Sequence, residues 1–147
     1  MKSTSKRIEP VKRVAEQKEQ QAAQSLGQAQ SNFSNAQAKL DELIQYRVDY
    51  LSEFQYLAQR GMTGTQLQHY KSFLSQLDKA IESQQQRIEQ LKHEVTRQRQ
   101  AWQQTNQRAK VVTKYQEKMR GKEQAKRAAS EDRRIEDDVN SLRFSRK

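Results

Sequence analysis

Apolar residues recur at alternating intervals of three and four along the first part of the chain, the spacing of one face of an amphipathic helix. We expect this helix to begin at Pro10, because proline is favoured at the first helical position, where its missing N–H has no partner to lose. The pattern stops where Gly61 and Gly64 predict a turn near residues 59–65. The apolar positions are Ala15, Ala22, Leu26, Ala29, Phe33, Ala36, Leu40, Leu43, Tyr50, Phe54 and Leu57.

A second helix follows the turn and carries the strongest periodic signal in the sequence. Thr65 and Gln68 have the spacing of a capping box, which predicts where this helix begins. A seven-residue repeat held over many heptads is typical of a coiled-coil seam. One set of heptad positions reads Leu67, Leu74, Ile81, Ile88, Val95, Trp102 and Ala109, and the other reads Tyr70, Leu77, Gln84, Leu91, Gln98, Thr105, Val112 and Met119.

The distribution of small and large side chains favours pairing of the two helices with each other. A chain that folds back about residue 62 places Ala29 near Val95 and Ala22 near Trp102, so that small residues face bulky ones and fill the seam. A parallel homodimer would instead stack Trp102 on Trp102. We therefore predict an all-α protein, a long two-helix antiparallel coiled coil that is a monomeric hairpin.

The ends of the chain differ in composition from this coiled coil. We divide the sequence into a basic N-terminal segment (1–9), the hairpin (10–120) and a charged tail (121–147). Blocks of basic and acidic residues replace the heptad beyond Gly121. Such a segment is expected to be a frayed helix or disordered.

The composition agrees with a coiled coil and argues against catalysis. Only 33% of the residues are hydrophobic, 31% are charged, and the chain has 4 Gly, 1 Pro and no Cys. His69 and His93 lie about 36 Å apart along one helix, too far to share a metal. A two-helix hairpin also offers no water-excluding pocket. We expect no enzyme activity, no cofactor and no metal.

An excess of apolar residues close to the turn suggests a binding surface. On a helical wheel, Leu40, Ile44, Leu51 and Phe54 form the expected core arc of the first helix. A further group extends this arc to one side and is expected to form a contiguous outward patch, the kind of surface that often marks an interface. The group consists of Leu43, Tyr46, Tyr50 and Leu57 on the first helix, with Phe73 and Ala80 beside Leu77 on the second. The alternative is that these residues only thicken the hairpin.

The charge indicates an anionic partner. The net charge is +10, and the end of the hairpin that holds both termini is rich in Lys and Arg. Acidic proteins, nucleic acids and anionic lipids are all compatible with it. No apolar run approaches the length of a membrane-spanning helix, and no secretory signal is evident, so we expect a cytoplasmic protein without membrane insertion.

Two sequence blocks resemble the family of the flagellar export protein FliJ. They are joined by a glycine-containing turn, and the resemblance covers about residues 40 to 85. The blocks are Leu43-Ile44-Gln45-Tyr46-Arg47-Val48-Asp49-Tyr50 and His69-Tyr70-Lys71-Ser72-Phe73-Leu74-Ser75-Gln76-Leu77-Asp78-Lys79-Ala80-Ile81.

The resemblance implies a function in the flagellar type III export apparatus. Members of this family are antiparallel coiled coils similar in shape to the γ subunit of rotary ATPases. Their terminal ends engage the hexameric export ATPase FliI, the region near the turn binds the cytoplasmic part of the export gate protein FlhA, and they escort export chaperones. This implies a location at the cytoplasmic face of the inner membrane, at the flagellar base.

The resemblance also assigns partners to the residues of this chain. The gate-binding residues would be Leu43, Tyr46, Tyr50, Phe73, Leu77 and Ala80. The basic residues that face the ATPase ring would be Lys12, Arg13, Lys18, Arg108, Lys110, Lys114 and Lys118. Taken from charge and periodicity alone, a nucleic-acid-binding coiled coil or a structural spacer stays an alternative, although the resemblance leads us to expect no nucleic acid.

Overall fold

The computed structural model describes residues 3–145, which form two helices, α1 (Thr4–Arg60) and α2 (Gly64–Ser145). The described range contains no strand. The two helices pair as an antiparallel coiled-coil hairpin, which confirms the predicted fold class. The first two residues of the predicted N-terminal segment and the last two of the predicted tail lie outside the described residues.

The turn between the helices is short and is fixed by a glycine and a capping box. Gly61 has φ of 98°, the left-handed conformation in which glycine commonly terminates a helix. The Thr63 N–H donates to Gln66 Oε1 at 3.1 Å, and the Gln66 N–H donates to Thr63 Oγ1 at 3.2 Å. The capping box predicted at Thr65 is therefore wrong by two residues. Thr-x-x-Gln occurs twice here, and the helix begins at the first copy.

α1 begins at Thr4, earlier than the predicted start at Pro10, which lies inside the helix. A proline there removes the hydrogen bond to the carbonyl of Lys6, a residue exposed enough for water to replace it. The first turn is also anchored by α2, because the Ser5 N–H and Oγ donate to the Glu123 carboxylate at 3.1 and 2.6 Å. This partner is remote in sequence, and a local pattern could not reveal it.

The heptad predicted for α2 is the seam of the coiled coil. Every residue of its two sets is buried or half-buried. The first set also continues beyond Ala109, to Gln116, which is 2% exposed, and to the half-buried Glu123. On α1 the buried hydrophobic residues are alanines, Ala15, Ala29 and Ala36, whose small side chains leave room for bulkier neighbours.

The core arc predicted for α1 near the turn is wrong in part. Ile44 is 43% exposed, whereas Leu43 and Tyr50, which the wheel placed at the flank, are half-buried. The wheel assumes a straight helix with 3.6 residues per turn, but a coiled coil follows 3.5, and the two drift apart by about 20° per heptad. The other three residues of the predicted arc, Leu40, Leu51 and Phe54, are half-buried. The half-buried positions of α1 that keep the seven-residue spacing in this region are Leu40, Leu43, Arg47, Tyr50, Phe54 and Leu57.

The contacts divide the hairpin into two compact units. The turn unit consists of Ala22–Ala101, and the terminal unit consists of Met1–Gln21 with Trp102–Lys147. In the terminal unit α2 runs on beyond the start of α1. Every described residue from 124 to 145 is helical and exposed, so this part of α2 packs against nothing in the described chain. The division at 121 and the loosening of the tail stay predictions.

Candidate partner-binding surfaces

An aromatic cluster joins the two helices next to the turn. The Tyr50 ring lies 4.4 Å from the Phe73 ring and 4.9 Å from the Tyr70 ring, measured between centroids. Tyr46 meets Phe73 edge-on at 5.9 Å, and Phe54 lies 5.5 Å from Tyr70. Rings at these separations attract each other beyond their apolar burial. The cluster therefore stabilises the hairpin as well as providing surface.

The predicted gate-binding residues differ widely in exposure. Tyr46 is 51% exposed and Ala80 is also exposed, whereas Leu43, Tyr50 and Phe73 are half-buried. Leu77 is 6% exposed and belongs to the seam. The reachable part of this surface is therefore Tyr46 and Ala80, with the outer edges of the half-buried side chains. Leu77 can support the surface from below but offers a partner almost no area.

Polar side chains connect the helices around the aromatic cluster. The Arg47 guanidinium donates to Asp78 Oδ1 at 2.6 Å, and the Tyr70 hydroxyl donates to Glu53 at 3.3 Å. Partial burial, and secondarily Glu53, raise the pKa of Tyr70 above its usual value, so its hydroxyl stays protonated. Tyr70, Phe54 and Arg47 were not among the predicted site residues, although the first two occupy heptad positions that the sequence shows.

A buried glutamine lies farther along the turn unit. Gln84 is 8% exposed, and its Nε2 donates to the carbonyl oxygen of Ala36 at 3.0 Å. The Gln84 amide thus pairs with a backbone carbonyl of α1. A polar contact at a seam position disfavours other alignments of the two helices, because they would bury the amide without a partner. Gln84 thus acts on the alignment of the two helices within this unit.

The charge of the protein is concentrated in the terminal unit. That unit contains 19 Lys and Arg against 10 Asp and Glu, whereas the turn unit contains 9 against 8. Lys12 lies at the seam, half-buried, with its Nζ 4.0 Å from Glu16. The other predicted ATPase-facing residues are all exposed, namely Arg13, Lys18, Arg108, Lys110, Lys114 and Lys118.

Four of these exposed basic residues line two different grooves. Lys18 and Arg108 line a groove together with Val11 and Val14. Lys110 and Lys114 line another, together with carboxylates that include Glu16. The predicted basic set is therefore not one continuous surface.

A cluster of polar side chains joins α1 and α2 near the start of α1. Gln116 Nε2 donates to the Ser5 carbonyl oxygen at 3.1 Å and to the Glu9 carboxylate, while Ser5 binds Glu123. The hydrogen bond from Gln116 lowers the pKa of Glu9 below its usual value, and the two hydrogen bonds from Ser5 lower the pKa of Glu123 in the same way. Deeper along the seam, the Trp102 indole N–H donates to Glu19 at 3.0 Å. Trp102 is thus tied to the facing helix.

The described residues contain neither a cluster of metal ligands nor a membrane-spanning stretch. No group of three or more His, Asp or Glu side chains in residues 3–145 is placed to hold a metal ion. Within the same range, neither helix has a stretch that is both long and apolar enough to cross a bilayer.

Comparison with known families identifies the chain. A family model described as Flagellar FliJ protein matches residues 4–147, nearly the whole sequence. No curated protein and no solved structure gives a match. The match extends the likeness seen around residues 40–85 to both helices and the tail. The chain belongs to the FliJ family and is a component of the flagellar protein export apparatus.

Proposed function

We propose that this protein is a non-enzymatic coupling component that binds both the hexameric export ATPase FliI and the cytoplasmic part of the export gate protein FlhA. It also escorts export chaperones, and it acts at the cytoplasmic face of the inner membrane. Membership of the FliJ family supports the assignment to export, and two separate exposed surfaces support more than one partner.

The observation that carries the proposal is the unequal chemistry of the two units. The terminal unit has a large excess of positive charge, whereas the turn unit is almost neutral and carries the aromatic cluster. Long-range attraction to an acidic surface belongs to the first unit, while the second offers an aromatic contact. Surfaces of such different character suit different partners.

Binding to the two purified partners tests the proposal. We expect the full chain to bind the export ATPase and, independently, the cytoplasmic part of the gate protein. Binding to the ATPase should weaken with salt, because exposed charges are screened. Binding to the gate protein should weaken less as the salt concentration rises. A chain that binds neither protein contradicts the proposal.

Nucleic-acid binding is the second candidate, favoured by the excess of Lys and Arg in the terminal unit. An electrophoretic shift assay at about 150 mM salt distinguishes nucleic-acid binding from the export function, because affinity for phosphates falls steeply with salt. A shift that persists at that salt favours nucleic acid. Its absence, with retained ATPase binding, favours export.

A further inference from the structure

The heptad gives the terminal unit two different sides. In an antiparallel pair, the residues that flank the seam on one side of each helix lie next to each other. The groove that brings Val11, Val14 and Lys18 together with Arg108 marks one such side. Val111 and Tyr115 follow Arg108 by three and seven residues and therefore share its face of α2. We name these six residues the valine face.

The valine face exposes more apolar area than a solvated helix surface needs. Val11 and Val14 are 52% and 51% exposed, and Val111 and Tyr115 are 60% and 48% exposed. All four lie on one side of the seam, on two adjacent helices. Contiguous apolar patches of this kind mark interaction sites, whereas single exposed side chains do not. Tyrosine is also enriched at interfaces, since its ring provides area and its hydroxyl tolerates water.

The side of the seam that holds the valine face carries basic residues and no acidic residue in the paired part of the unit. On the same side of the seam, between residues 4–21 and 104–122, the charged residues are Arg7, Lys18, Arg108, Lys118 and Lys122. The opposite side carries Glu9, Glu16 and Glu117 among its basic residues, which nearly balance them. The positive charge of the paired part of this unit is therefore directed mainly to the valine face.

We propose that the valine face is the surface by which the terminal unit binds the export ATPase ring, and that the ring presents an apolar strip bordered by carboxylates. This inference rests on the proposed function. The valine face includes or borders only some of the seven basic residues that were predicted to face the ATPase ring. Lys18, Arg108 and Lys118 lie on the binding side, Arg13, Lys110 and Lys114 lie elsewhere, and Lys12 belongs to the seam.

An acidic protein suits the valine face better than a lipid bilayer does. Helices that lie in the membrane interface insert large side chains such as Trp, Phe and Leu. Here three of the four apolar residues are valines, and each of them is already about half covered by its own helix pair. The groove lined by Val11, Val14, Lys18 and Arg108 measures about 270 Å³, enough for a side chain of a partner. Charge complementarity then selects an acidic surface.

The test compares two double variants that change the charge equally on opposite sides. Val14→Glu with Val111→Glu adds two negative charges to the valine face. Gln20→Glu with Gln103→Glu adds two at exposed positions on the other side. Affinity for the purified export ATPase, assembled with a non-hydrolysable ATP analogue, is measured by biolayer interferometry. We expect the first variant to bind at least about tenfold more weakly and the second to bind like the original chain.

Two further variants separate the apolar contact from the charges. Val14→Thr with Val111→Thr keeps charge and shape, and we expect it to speed dissociation several-fold. Lys18→Gln with Arg108→Gln should mainly slow association and flatten its dependence on salt. Circular dichroism of each variant confirms the hairpin, which these exposed positions should not disturb.

Each outcome has a distinct meaning. If the unmodified chain does not bind the ATPase, the proposed function fails and this inference falls with it. If the unmodified chain binds and Val14→Glu with Val111→Glu binds equally well, only the valine face is wrong. The inference is also overturned if that variant loses affinity for vesicles containing phosphatidylglycerol while its affinity for the ATPase is unchanged.

Discussion

Gln116 donates a hydrogen bond from α2 to the backbone carbonyl of Ser5 on α1, 3.1 Å away. Gln116 is the most deeply buried side chain in the described part of the protein, and its amide also reaches Glu9. A polar residue at this depth is tolerated because its donors are satisfied. The contact holds the first turns of α1, which include Pro10, against α2.

Replacing Gln116 with leucine should therefore loosen the start of α1. The buried Ser5 carbonyl would lose a donor, at a cost of about 1–3 kcal/mol, and the Glu9 carboxylate would lose its hydrogen bond to α2. We expect faster hydrogen exchange of the amides of residues 8, 9, 11 and 12, with little change near the turn. The control is Gln107→Leu at an exposed position of the same helix. Equal exchange in both variants would show that the polar cluster does not anchor the helix.

Acidification should loosen the same region. Glu9 and Glu123 accept hydrogen bonds that lower their pKa below 4.5 in the folded protein. Because the folded value is the lower one, the stabilisation is present above about pH 4.5 and is lost as the pH falls through the folded pKa values. We expect amide protection at the start of α1 to fall in that range.

The matched variants for the pH dependence each remove two carboxylates. Glu9→Gln with Glu123→Gln should make the protection of the first turns of α1 nearly independent of pH. Glu117→Gln with Glu131→Gln, at exposed positions, should leave the pH dependence as it is. If the amide protection of the first variant still depends on pH, other carboxylates cause the pH dependence.

Binding to the gate protein should depend on the exposed part of the aromatic cluster. Tyr46→Ala with Ala80→Asp changes two exposed positions, so we expect the thermal midpoint to move by only a few degrees while binding to the gate protein weakens about tenfold or more. Tyr56→Ala is the control, because Tyr56 is 53% exposed and Tyr46 is 51% exposed. Similar losses of binding in both would argue against a specific surface.

The seam itself can be tested with two adjacent valines. Val112 is half-buried in the heptad, and Val111 is 60% exposed. Val112→Lys places a charge in the seam and should lower the free energy of unfolding by roughly 2–4 kcal/mol, whereas Val111→Lys should stay within about 0.5 kcal/mol. Urea unfolding followed by circular dichroism measures both. Equal midpoints would mean that the register is wrong.

The sequence predicted the pairing of the helices because α2 keeps its seven-residue repeat from Leu67 to Met119. A repeat of that length specifies a seam whatever the details of packing. The same rule, applied to α1, would have placed Leu43 and Tyr50 inward. A straight-helix wheel instead placed them at the flank and Ile44 in the core, and that choice made the aromatic patch look more exposed than it is.

Other features depend on partners that are far apart in the chain. The first turn of α1, which begins at Thr4, is hydrogen-bonded through Ser5 to Glu123 and Gln116 of α2. The sequence near Pro10 contains no local pattern that predicts these contacts. The valine face was missed for a different reason. Val11, Val14 and Val111 lie outside the two seam positions of the heptad, and only the pairing of the two helices brings them to one surface.

The lone helical stretch beyond residue 123 has a consequence for how the protein melts. Within the described chain, residues 124–145 have no neighbouring helix to bury their side chains, so this stretch is held mainly by its own backbone hydrogen bonds, which are marginal for a segment of this length in water. On heating, this stretch should lose its ellipticity gradually and well before the paired helices separate. Trypsin should also remove it first, because its Lys and Arg residues become accessible as it unwinds.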